Sequence, residues 1–384
     1  MRFSKLAVEF TGEQHPLYAL LGRLKQQKQE VTDLVKGNVG EMGAVFPAEL
    51  LDEILLSASR KASLYSPDPY GQPKARKAIV DFYAPLEFRE EQILLSPGSS
   101  ISYFYCFKVL ADPGDEILCP QPSYPLLEYI AQLSDLRLRS YRLAEEQDWS
   151  IDFEDLESKI NKRTKAIVLI SPHNPSGAVL DDAEIRRLVE LANKYHLPII
   201  SDEVFSEFVY DSNFSRPASF RPELLFTLNG LSKSFALPGM KISWIVVSGE
   251  EKACRQALGS LEMISDTFLP VNEIAQFALA EIFEKGKEFQ RSYKNMLQEC
   301  RQIAIQALDG LSFALPKGGF YLALKIEAEE ETMALKLLEA ERILVHPGYF
   351  YEMDGNHLIM TFIQERKRLE DAMQRLKKHL NSSA

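Results

Sequence analysis

The most informative stretch of the chain reads Asn229-Gly-Leu-Ser-Lys-Ser-Phe-Ala-Leu-Pro-Gly-Met-Lys-Ile-Ser-Trp244. It places Lys233 just beyond the apolar run Leu224–Leu228, among serines and glycines that let the backbone approach a ligand. A second cation, Lys241, follows in the same stretch. A desolvated lysine near another cation has a lowered pKa and becomes nucleophilic. The stretch therefore predicts a lysine that forms a Schiff base with an aldehyde, beside small residues that suit a phosphate.

The bulk composition is that of a globular enzyme, and it argues against several other classes of protein. With 384 residues, 46% hydrophobic and 26% charged, the chain is long enough for two domains of a soluble fold. The net charge of −11 disfavours nucleic acid as a partner. No apolar stretch is long enough to cross a bilayer, and the N-terminus lacks the apolar core of a signal peptide. We therefore expect no membrane partner and a cytoplasmic setting.

The cysteines give no sign of a metal site. They are scattered along the chain without a Cys-x-x-Cys pair, which argues against both a zinc site and a disulfide framework. We expect them to be small, buried, apolar residues, and we expect no bound metal. They are Cys106, Cys119, Cys254 and Cys300.

Short apolar runs alternate with amphipathic stretches through the middle of the chain. The predicted strands are Gln92–Ser96, Glu116–Pro120, Ala166–Ser171, Pro198–Asp202, Leu224–Leu228 and Ile242–Ser248. The predicted helices include Gln72–Tyr83, Ser100–Ala111, Ala183–Tyr195 and Glu251–Leu261. Strands that alternate with helices indicate an α/β fold whose mostly parallel sheet is covered on both faces.

The C-terminal part has a different pattern. It predicts the helix Phe289–Leu308, a turn and strand over Pro316–Lys325, the helix Glu331–Glu341, the strand Leu358–Ile363 and the helix Arg366–Leu380. This order is typical of a smaller α+β domain, against which the first part of the chain would pack. We therefore predict a large domain over residues 50–285 and a small domain formed by residues 1–49 and 286–384.

Polar or glycine-rich segments follow five of the predicted strands. Ligands of open parallel sheets bind beyond the carboxyl ends of the strands, so these segments should meet. A helix N-terminus with small residues is an anion site, and an acid directly after four apolar residues needs a partner. The five segments offer a phosphate cradle, an aromatic ring, an amide, an acid and a lysine. They are Pro97–Ser100, Gln121–Tyr124, Pro172–Gly177, Asp202–Glu203 and the stretch that contains Lys233.

In order and spacing these segments resemble the class I/II aminotransferases, which are fold-type I enzymes that use pyridoxal 5′-phosphate (PLP). The resemblance covers nearly the whole chain, from about Gly37 onward. It implies an enzyme that transfers an amino group from an amino acid to a keto acid by a ping-pong Schiff-base mechanism. It also implies two catalytic residues. Lys233 would hold the cofactor and move the substrate proton, and Asp202 would pair with the pyridine nitrogen.

The resemblance assigns further residues to the cofactor and the substrate. Asn174 would lie beside the ring oxygen O3′ and Tyr124 would stack on the ring. Tyr65 would reach the phosphate of a neighbouring subunit, which implies a homodimer. The substrate would contact Gly37, Asn38 and Asn174. The remaining residues assigned to the cofactor site are Gly98, Ser99, Ser100, Phe205, Ser232 and Lys241.

Three departures from the family pattern affect the cofactor site. Phe205 stands where a tyrosine often donates a hydrogen bond to O3′, which should change the pKa of the Schiff base. Lys241 stands where arginine is usual, so the charge is kept and the bidentate geometry is lost. Gly230 stands three residues before Lys233, where a phosphate-binding serine is common.

A fourth departure affects the substrate. Ile359 stands where the family usually has the arginine that binds the substrate α-carboxylate, and no Arg or Lys lies between Arg342 and Arg366. Either another group, such as Lys36 or His357, holds the carboxylate, or the substrate lacks one there. The alternative function is therefore another PLP reaction on the same scaffold: a decarboxylase, a C–S or β-lyase, or an amine-directed transaminase.

Two function classes outside PLP catalysis are disfavoured. A nicotinamide-dependent dehydrogenase would also have a parallel sheet, but no Gly-x-Gly-x-x-Gly motif follows a predicted strand. A ligand-sensing module of a transcription regulator would share the aminotransferase-like pattern, but the acidic charge of the chain does not suit DNA binding.

Overall fold

The computed structural model describes residues 3–4, 6–7, 14–37, 39–211 and 214–383. The helices are α1 Pro16–Gln26, α2 Ala48–Lys61, α3 Pro73–Phe82, α4 Ser99–Leu110, α5 Leu126–Leu133, α6 Phe153–Lys159, α7 Asp182–Lys194, α8 Leu231–Ser234, α9 Glu251–Phe268, α10 Glu273–Lys285, α11 Lys287–Ala307, α12 Glu330–Lys336 and α13 Arg366–Ser383. The strands are β1 Thr32–Asp33, β2 Ile93–Ser96, β3 Glu116–Gln121, β4 Arg137–Ala144, β5 Ser150–Ile151, β6 Thr164–Ile170, β7 Ile199–Asp202, β8 Leu224–Gly230, β9 Ser243–Gly249, β10 Ser312–Phe313, β11 Tyr321–Lys325, β12 Ile343–Leu344, β13 His346–Pro347 and β14 His357–Thr361.

The large sheet has eight strands in the order β2-β9-β8-β7-β6-β3-β4-β5. Strands β8, β7, β6, β3 and β4 pair in parallel, whereas β9 runs antiparallel to both of its neighbours. Strand β2 therefore points the same way as β8. As a result, the carboxyl ends of β2, β3, β6, β7 and β8 lie at one edge of the sheet, where a ligand of an open α/β sheet binds.

Helices cover both faces of this sheet. Successive residues of a strand point to opposite faces, so each strand contributes side chains to two cores. On one face Val168 and Phe226 pack with residues of α4, α5 and α9. On the other face Leu169 and Leu225 pack with residues of α6 and α7. The strands read as continuous apolar runs since both of their faces are buried, as is usual for parallel sheets.

A smaller antiparallel sheet of four strands follows in the order β10-β11-β14-β13. Helices α11 and α13 pack against each other beside it, and their buried residues join the same core. Near the N-terminus, β1 pairs in parallel with β12, so the start of the chain lies against its C-terminal part. This sheet brings Tyr321 and Ile359 to neighbouring strands.

The predicted α/β architecture is confirmed, and the element bounds differ in places. All six predicted strands of the large sheet are present, with small shifts at their ends. The helix predicted to end at Leu261 continues to Phe268, and the helix predicted over Glu331–Glu341 is an α-helix to Lys336 followed by a π-helical turn. In the described part of the chain, no helix is both long and apolar enough to cross a membrane. All four cysteines are free and buried, as predicted.

Candidate active site

Lys233 lies in the short helix α8, directly after strand β8. Its Nζ donates a hydrogen bond to the backbone carbonyl of Gly37 at 2.9 Å. The rings of Phe205 and Phe320 flank the amine, with centroids 6.0 and 5.4 Å from Nζ. The side chain as a whole is half-buried, and desolvation of the amine lowers the pKa of Lys233 to about 8. A much larger fraction of this amine is therefore neutral and nucleophilic at physiological pH than for an ordinary lysine.

Asp202 is the last residue of β7 and is buried. The Tyr103 hydroxyl donates to its Oδ2 at 2.9 Å, and the Val204 N–H donates to its Oδ1 at 3.1 Å. Burial raises the pKa of Asp202 to about 6, although both hydrogen bonds act in the opposite direction. No cationic side chain among the described residues forms an ion pair with it. The site therefore holds a carboxylate that is ionised at neutral pH and lacks a counter-charge.

Asn174 and two tyrosines complete the cluster. The buried Asn174 side chain donates a hydrogen bond to the Tyr321 hydroxyl, and its Oδ1 has no partner among the described residues. The Tyr124 pKa is raised by burial and by the charge of Asp202, which places Tyr124 close to that carboxylate. A Cβ atom built on Gly37 would lie 3.2 Å from the Lys233 Nζ and 3.6 Å from the Tyr321 hydroxyl. Gly37, Asn174, Lys233 and Tyr321, which are distant in sequence, thus meet around one small space.

The loop after β2 leads into the N-terminus of α4. Gly98 is the N-cap residue, and no side chain caps the helix there. The Ser96 and Ser102 hydroxyls lie 2.6 Å apart and join the strand end to the first turn of the helix. The first backbone N–H groups of a helix have no partner within the helix, and they favour an anion. Gly98, Ser99 and Ser100 therefore lie at a helix N-terminus whose backbone N–H groups can bind an anion.

Two of the predicted cofactor residues lie apart from this cluster. Tyr65 is 74% exposed in the segment between α2 and α3. The Lys241 side chain is exposed, and Lys241 lies two residues before β9 begins at Ser243. The remaining predicted residues, Phe205 and Ser232, lie beside Lys233. The predicted substrate residue Asn38 lies outside the described residues.

Ile359 is fully buried at the centre of β14. It lies directly opposite Ala323 on β11 and His346 on β13. Residues that are opposite in an antiparallel pair, or two apart along a strand, share one face of the sheet. Ile359 is therefore on the same face as Tyr321, whose hydroxyl lies beside Gly37 as the Lys233 amine does. Burial lowers the pKa of His346 to about 4, so this neighbour is also uncharged at neutral pH.

Three other basic side chains near the C-terminus each have an acidic partner. The His357 Nε2 lies 3.0 Å from a carboxylate oxygen of Glu145. The predicted substitute His357 is therefore held by an acid. Arg366 pairs with Glu370 and Arg368 pairs with Glu30, at 3.0 and 2.8 Å.

The sequence interpretation missed Tyr103 and gave no role to Tyr321. Tyr103 lies one turn after the glycine and serines of the phosphate cradle, so a helix that begins at Ser99 carries it towards the sheet. Its bond to Asp202 depends on how α4 crosses the strands, and sequence patterns do not give that angle. Tyr321 ends the segment Gly318-Gly-Phe-Tyr321, which the sequence analysis treats only as part of a predicted turn and strand.

Comparison with known proteins gives the family. The profile described as Aminotransferase class I and II matches residues 30–376. A glutamate-pyruvate aminotransferase of Haemophilus influenzae is 29% identical over 383 residues, which cover 95% of this chain and 94% of that protein. A glutamate-pyruvate aminotransferase of Escherichia coli K12 is 32% identical over 343 residues, which cover 85% and 84%. The solved structure of an alanine aminotransferase from Pyrococcus furiosus matches 99% of this chain and all of its own with a TM-score of 0.91 at 27% identity.

The fold is therefore that of the fold-type I enzymes, which use pyridoxal phosphate. The chain belongs to the class I and II aminotransferase family. It is a PLP-dependent aminotransferase, a transferase that moves an amino group between an amino acid and a keto acid. The relatives named above are aminotransferases, which gives no support to the alternative of a decarboxylase, lyase or amine-directed transaminase.

Proposed function

We propose that Lys233 and Asp202 are the catalytic residues of this aminotransferase. The proposal is supported above all by one arrangement. The desolvated amine of Lys233 and the buried carboxylate of Asp202, which has no cationic partner among the described residues, lie at the same edge of the sheet as the N-terminus of α4. When bound, PLP supplies an aldehyde and an electron-withdrawing ring that together allow an amino group to be exchanged.

The residues present fit this cofactor. The buried carboxylate of Asp202 needs a positive partner, which a protonated ring nitrogen supplies. The free Oδ1 of Asn174 shows that this amide has hydrogen-bonding capacity left for a polar group inside the site. The half-buried ring of Tyr124 offers an aromatic face close to Asp202. The N-terminus of α4 suits the phosphate group.

In this mechanism Lys233 has two tasks. Its Nζ would hold the cofactor through the aldehyde until the amine of the substrate takes its place. The freed Nζ would then take the proton from the substrate α-carbon and pass it to the carbon of the cofactor that had carried the aldehyde. A pKa near 8 suits both directions of transfer, because a general acid–base is most effective when its pKa is close to the working pH.

We propose L-alanine and L-glutamate, with their keto acids, as the substrates. The names of the relatives support this choice, since they are alanine or glutamate-pyruvate aminotransferases. Gly37, Asn174 and Tyr321 border the space in front of Lys233 and would contact the substrate. Because Ile359 brings no charge, the neutral donors Asn174 and Tyr321 would have to orient the α-carboxylate.

The substrate proposal is tested by assaying the purified enzyme with PLP, a panel of L-amino acids and either pyruvate or 2-oxoglutarate. We expect alanine formation from glutamate and pyruvate, and the reverse reaction from alanine and 2-oxoglutarate. The matched control omits the keto acid, which must stop steady turnover in a ping-pong reaction. If neither amino acid is a donor while others are, the proposed substrates are wrong.

We propose a homodimer in which Tyr65 of one subunit completes the phosphate site of the other. Tyr65 and its neighbour Leu64 are 74% and 76% exposed, which is unusual for large apolar side chains next to each other. Phe268 and Leu269, at the end of α9, are also more than half exposed. The segment and the helix lie together, since the Ser265 hydroxyl donates to the Pro69 carbonyl. A partner subunit that covers this surface would bury all four side chains.

Hybrid dimers test the shared site. Tyr65→Ala and Lys233→Ala homodimers should both be inactive or strongly impaired when the cofactor is limiting. Dissociation and reassociation of an equal mixture should restore roughly a quarter of wild-type activity, because half of the dimers then contain one intact site of two. Steady-state rates before and after mixing measure this. Failure to recover any activity, with hybrid formation verified by mass, would rule out the shared site.

We also propose the division into a large domain over residues 50–285 and a small domain over 1–49 and 286–384. The pairing of β1 with β12 and the separate four-stranded sheet support it. A cytoplasmic location is proposed as well. The four free, buried cysteines support it, since thiols persist in reducing compartments.

A further inference from the structure

Gly230 stands where the family commonly has a phosphate-binding serine, and the structure shows what fills that space. A Cβ atom built on Gly230 would lie 2.3 Å from the Ser243 Oγ and 2.9 Å from the Ser243 Cβ. Non-bonded atoms do not approach that closely, so the Ser243 side chain occupies the volume of a side chain at position 230. The hydroxyl at this place in the site is therefore carried by β9 instead of by the segment that contains Lys233.

Ser243 lies between the two segments assigned to the phosphate. It is the first residue of β9, and it pairs with Ser96 on one side and with Gly230 on the other. Ser96 is the last residue of β2, two residues before Gly98. Gly230 is the last residue of β8, three residues before Lys233. Ser243 is thus at the binding edge of the sheet, with the phosphate cradle and the lysine segment on either side.

The Ser243 side chain also points to the correct face of the sheet. The Ser96 Oγ is 2.6 Å from the Ser102 Oγ in the first turn of α4, so Ser96 faces that helix. Residues directly opposite each other in an antiparallel pair have their side chains on the same face. The Ser243 hydroxyl therefore faces the N-terminal turn of α4, where the backbone N–H groups of the cradle begin.

We propose that Ser243 donates its hydroxyl to the cofactor phosphate and replaces the serine that this chain lacks at position 230. The inference rests on the proposed function, because it requires the phosphate to lie at the N-terminus of α4. It assigns to Ser243 a cofactor-binding role that the family resemblance does not give. The hydroxyl would thus occupy the same place in the site as that of a serine at position 230, but it would be carried by β9 instead of β8.

The test compares ligands with and without a phosphate. Cofactor-free wild-type enzyme and Ser243→Ala are titrated with pyridoxamine 5′-phosphate and with pyridoxamine, which avoid the covalent bond to Lys233. Quenching of tryptophan fluorescence reports binding. We expect Ser243→Ala to bind pyridoxamine 5′-phosphate roughly 10- to 100-fold more weakly, as a lost hydrogen bond to a charged group predicts, and pyridoxamine equally well. Ser248→Ala, a buried serine at the other end of β9, is the matched control and should change neither constant.

A double variant keeps the test independent of folding defects. Gly230→Ser alone should not fit, whereas Gly230→Ser with Ser243→Gly should recover most of the affinity for the phosphorylated ligand. One tight contact remains, since a Cβ at 230 lies 3.0 Å from the Ile242 carbonyl oxygen. Equal weakening of both ligands in Ser243→Ala, or no weakening, would overturn the role of Ser243. If the wild-type enzyme itself shows no preference for the phosphorylated ligand, the cofactor site is misplaced and the proposed function fails with it.

Discussion

Lys233→Ala is expected to abolish transamination and to remove the visible absorbance of covalently held cofactor. In the proposed mechanism this lysine would both hold the cofactor and move the substrate proton, so the loss should exceed the roughly 10²- to 10⁴-fold that acid–base catalysis alone contributes. Lys233 donates to the Gly37 carbonyl, and α8 directly follows β8, which fixes where this side chain begins. Initial rates and the absorption spectrum of the PLP-treated enzyme measure both effects.

Lys252→Ala is the matched control for this variant. Lys252 is exposed at the start of α9, so its removal should change neither the spectrum nor the rate. A Lys233→Ala enzyme that retains turnover, with a native thermal transition, would contradict the assignment of the covalent lysine.

The same variant should alter the pH dependence of folding stability in the cofactor-free enzyme. The pKa of Lys233 is lowered from 10.5 to about 8, so the folded state binds fewer protons than the unfolded state between these values. Stability should therefore rise with pH across that window, and below it the buried charge opposes folding. Lys233→Ala should lose this rise. The free energy of unfolding of both proteins, measured with denaturant at pH 7.5 and at pH 10, would show the difference. The same change in this free energy between the two pH values in both proteins would contradict the desolvation of the amine.

Asp202→Ala is expected to lower the turnover rate by about 10²- to 10³-fold, which is typical for loss of a buried group that stabilises charge in the transition state. In the proposed mechanism the carboxylate would keep the ring nitrogen positive, and its removal would weaken the ring as an acceptor of electrons. Rates under saturating PLP, together with the half-reaction with amino acid alone, measure the effect. Unchanged rates at saturating cofactor would show that the acid at the end of β7 does not face the ring.

Two neighbouring variants separate the chemical role of Asp202 from its structural surroundings. Tyr103→Phe removes the hydrogen bond to Oδ2 and should raise the pKa of Asp202 further, because that bond favours the ionised form. The rate should fall less than in Asp202→Ala, and most at the acidic end of the pH profile.

Glu203→Gln breaks the ion pair of a buried acid with Arg216 at 2.9 Å. It should lower stability but leave the spectrum of bound cofactor intact.

The fold was predictable where strands are buried on both faces, and less so elsewhere. Leu224–Leu228 and Ala166–Ser171 are continuous apolar runs, and both became central strands. Strand β4, Arg137–Ala144, was not predicted because it lies near the sheet edge and its partly exposed residues include three arginines. Helix α10, Glu273–Lys285, was missed as well. Its residues are apolar around much of the circumference, so no amphipathic period marks it.

The candidate site was predictable to the extent that it follows strand ends. Asp202 and Lys233 come directly after buried strands, and parallel strands bring their ends together. Tyr321 enters the site from a different sheet, whose placement depends on packing between distant parts of the chain. Ser243 begins an antiparallel strand, so its position at the binding edge appears only once the direction of β9 is known. Contacts of this kind depend on angles and strand order that local sequence does not encode.

The most direct test of the account is a single half-reaction. PLP-loaded enzyme is mixed with L-glutamate in the absence of any keto acid, and the products are quantified against the concentration of active sites. We expect one equivalent of 2-oxoglutarate per site, with the amino group retained on the cofactor, and no release of ammonia or carbon dioxide. Carbon dioxide or ammonia in place of the keto acid would contradict it, and would show that the site with Ile359 performs a different PLP reaction.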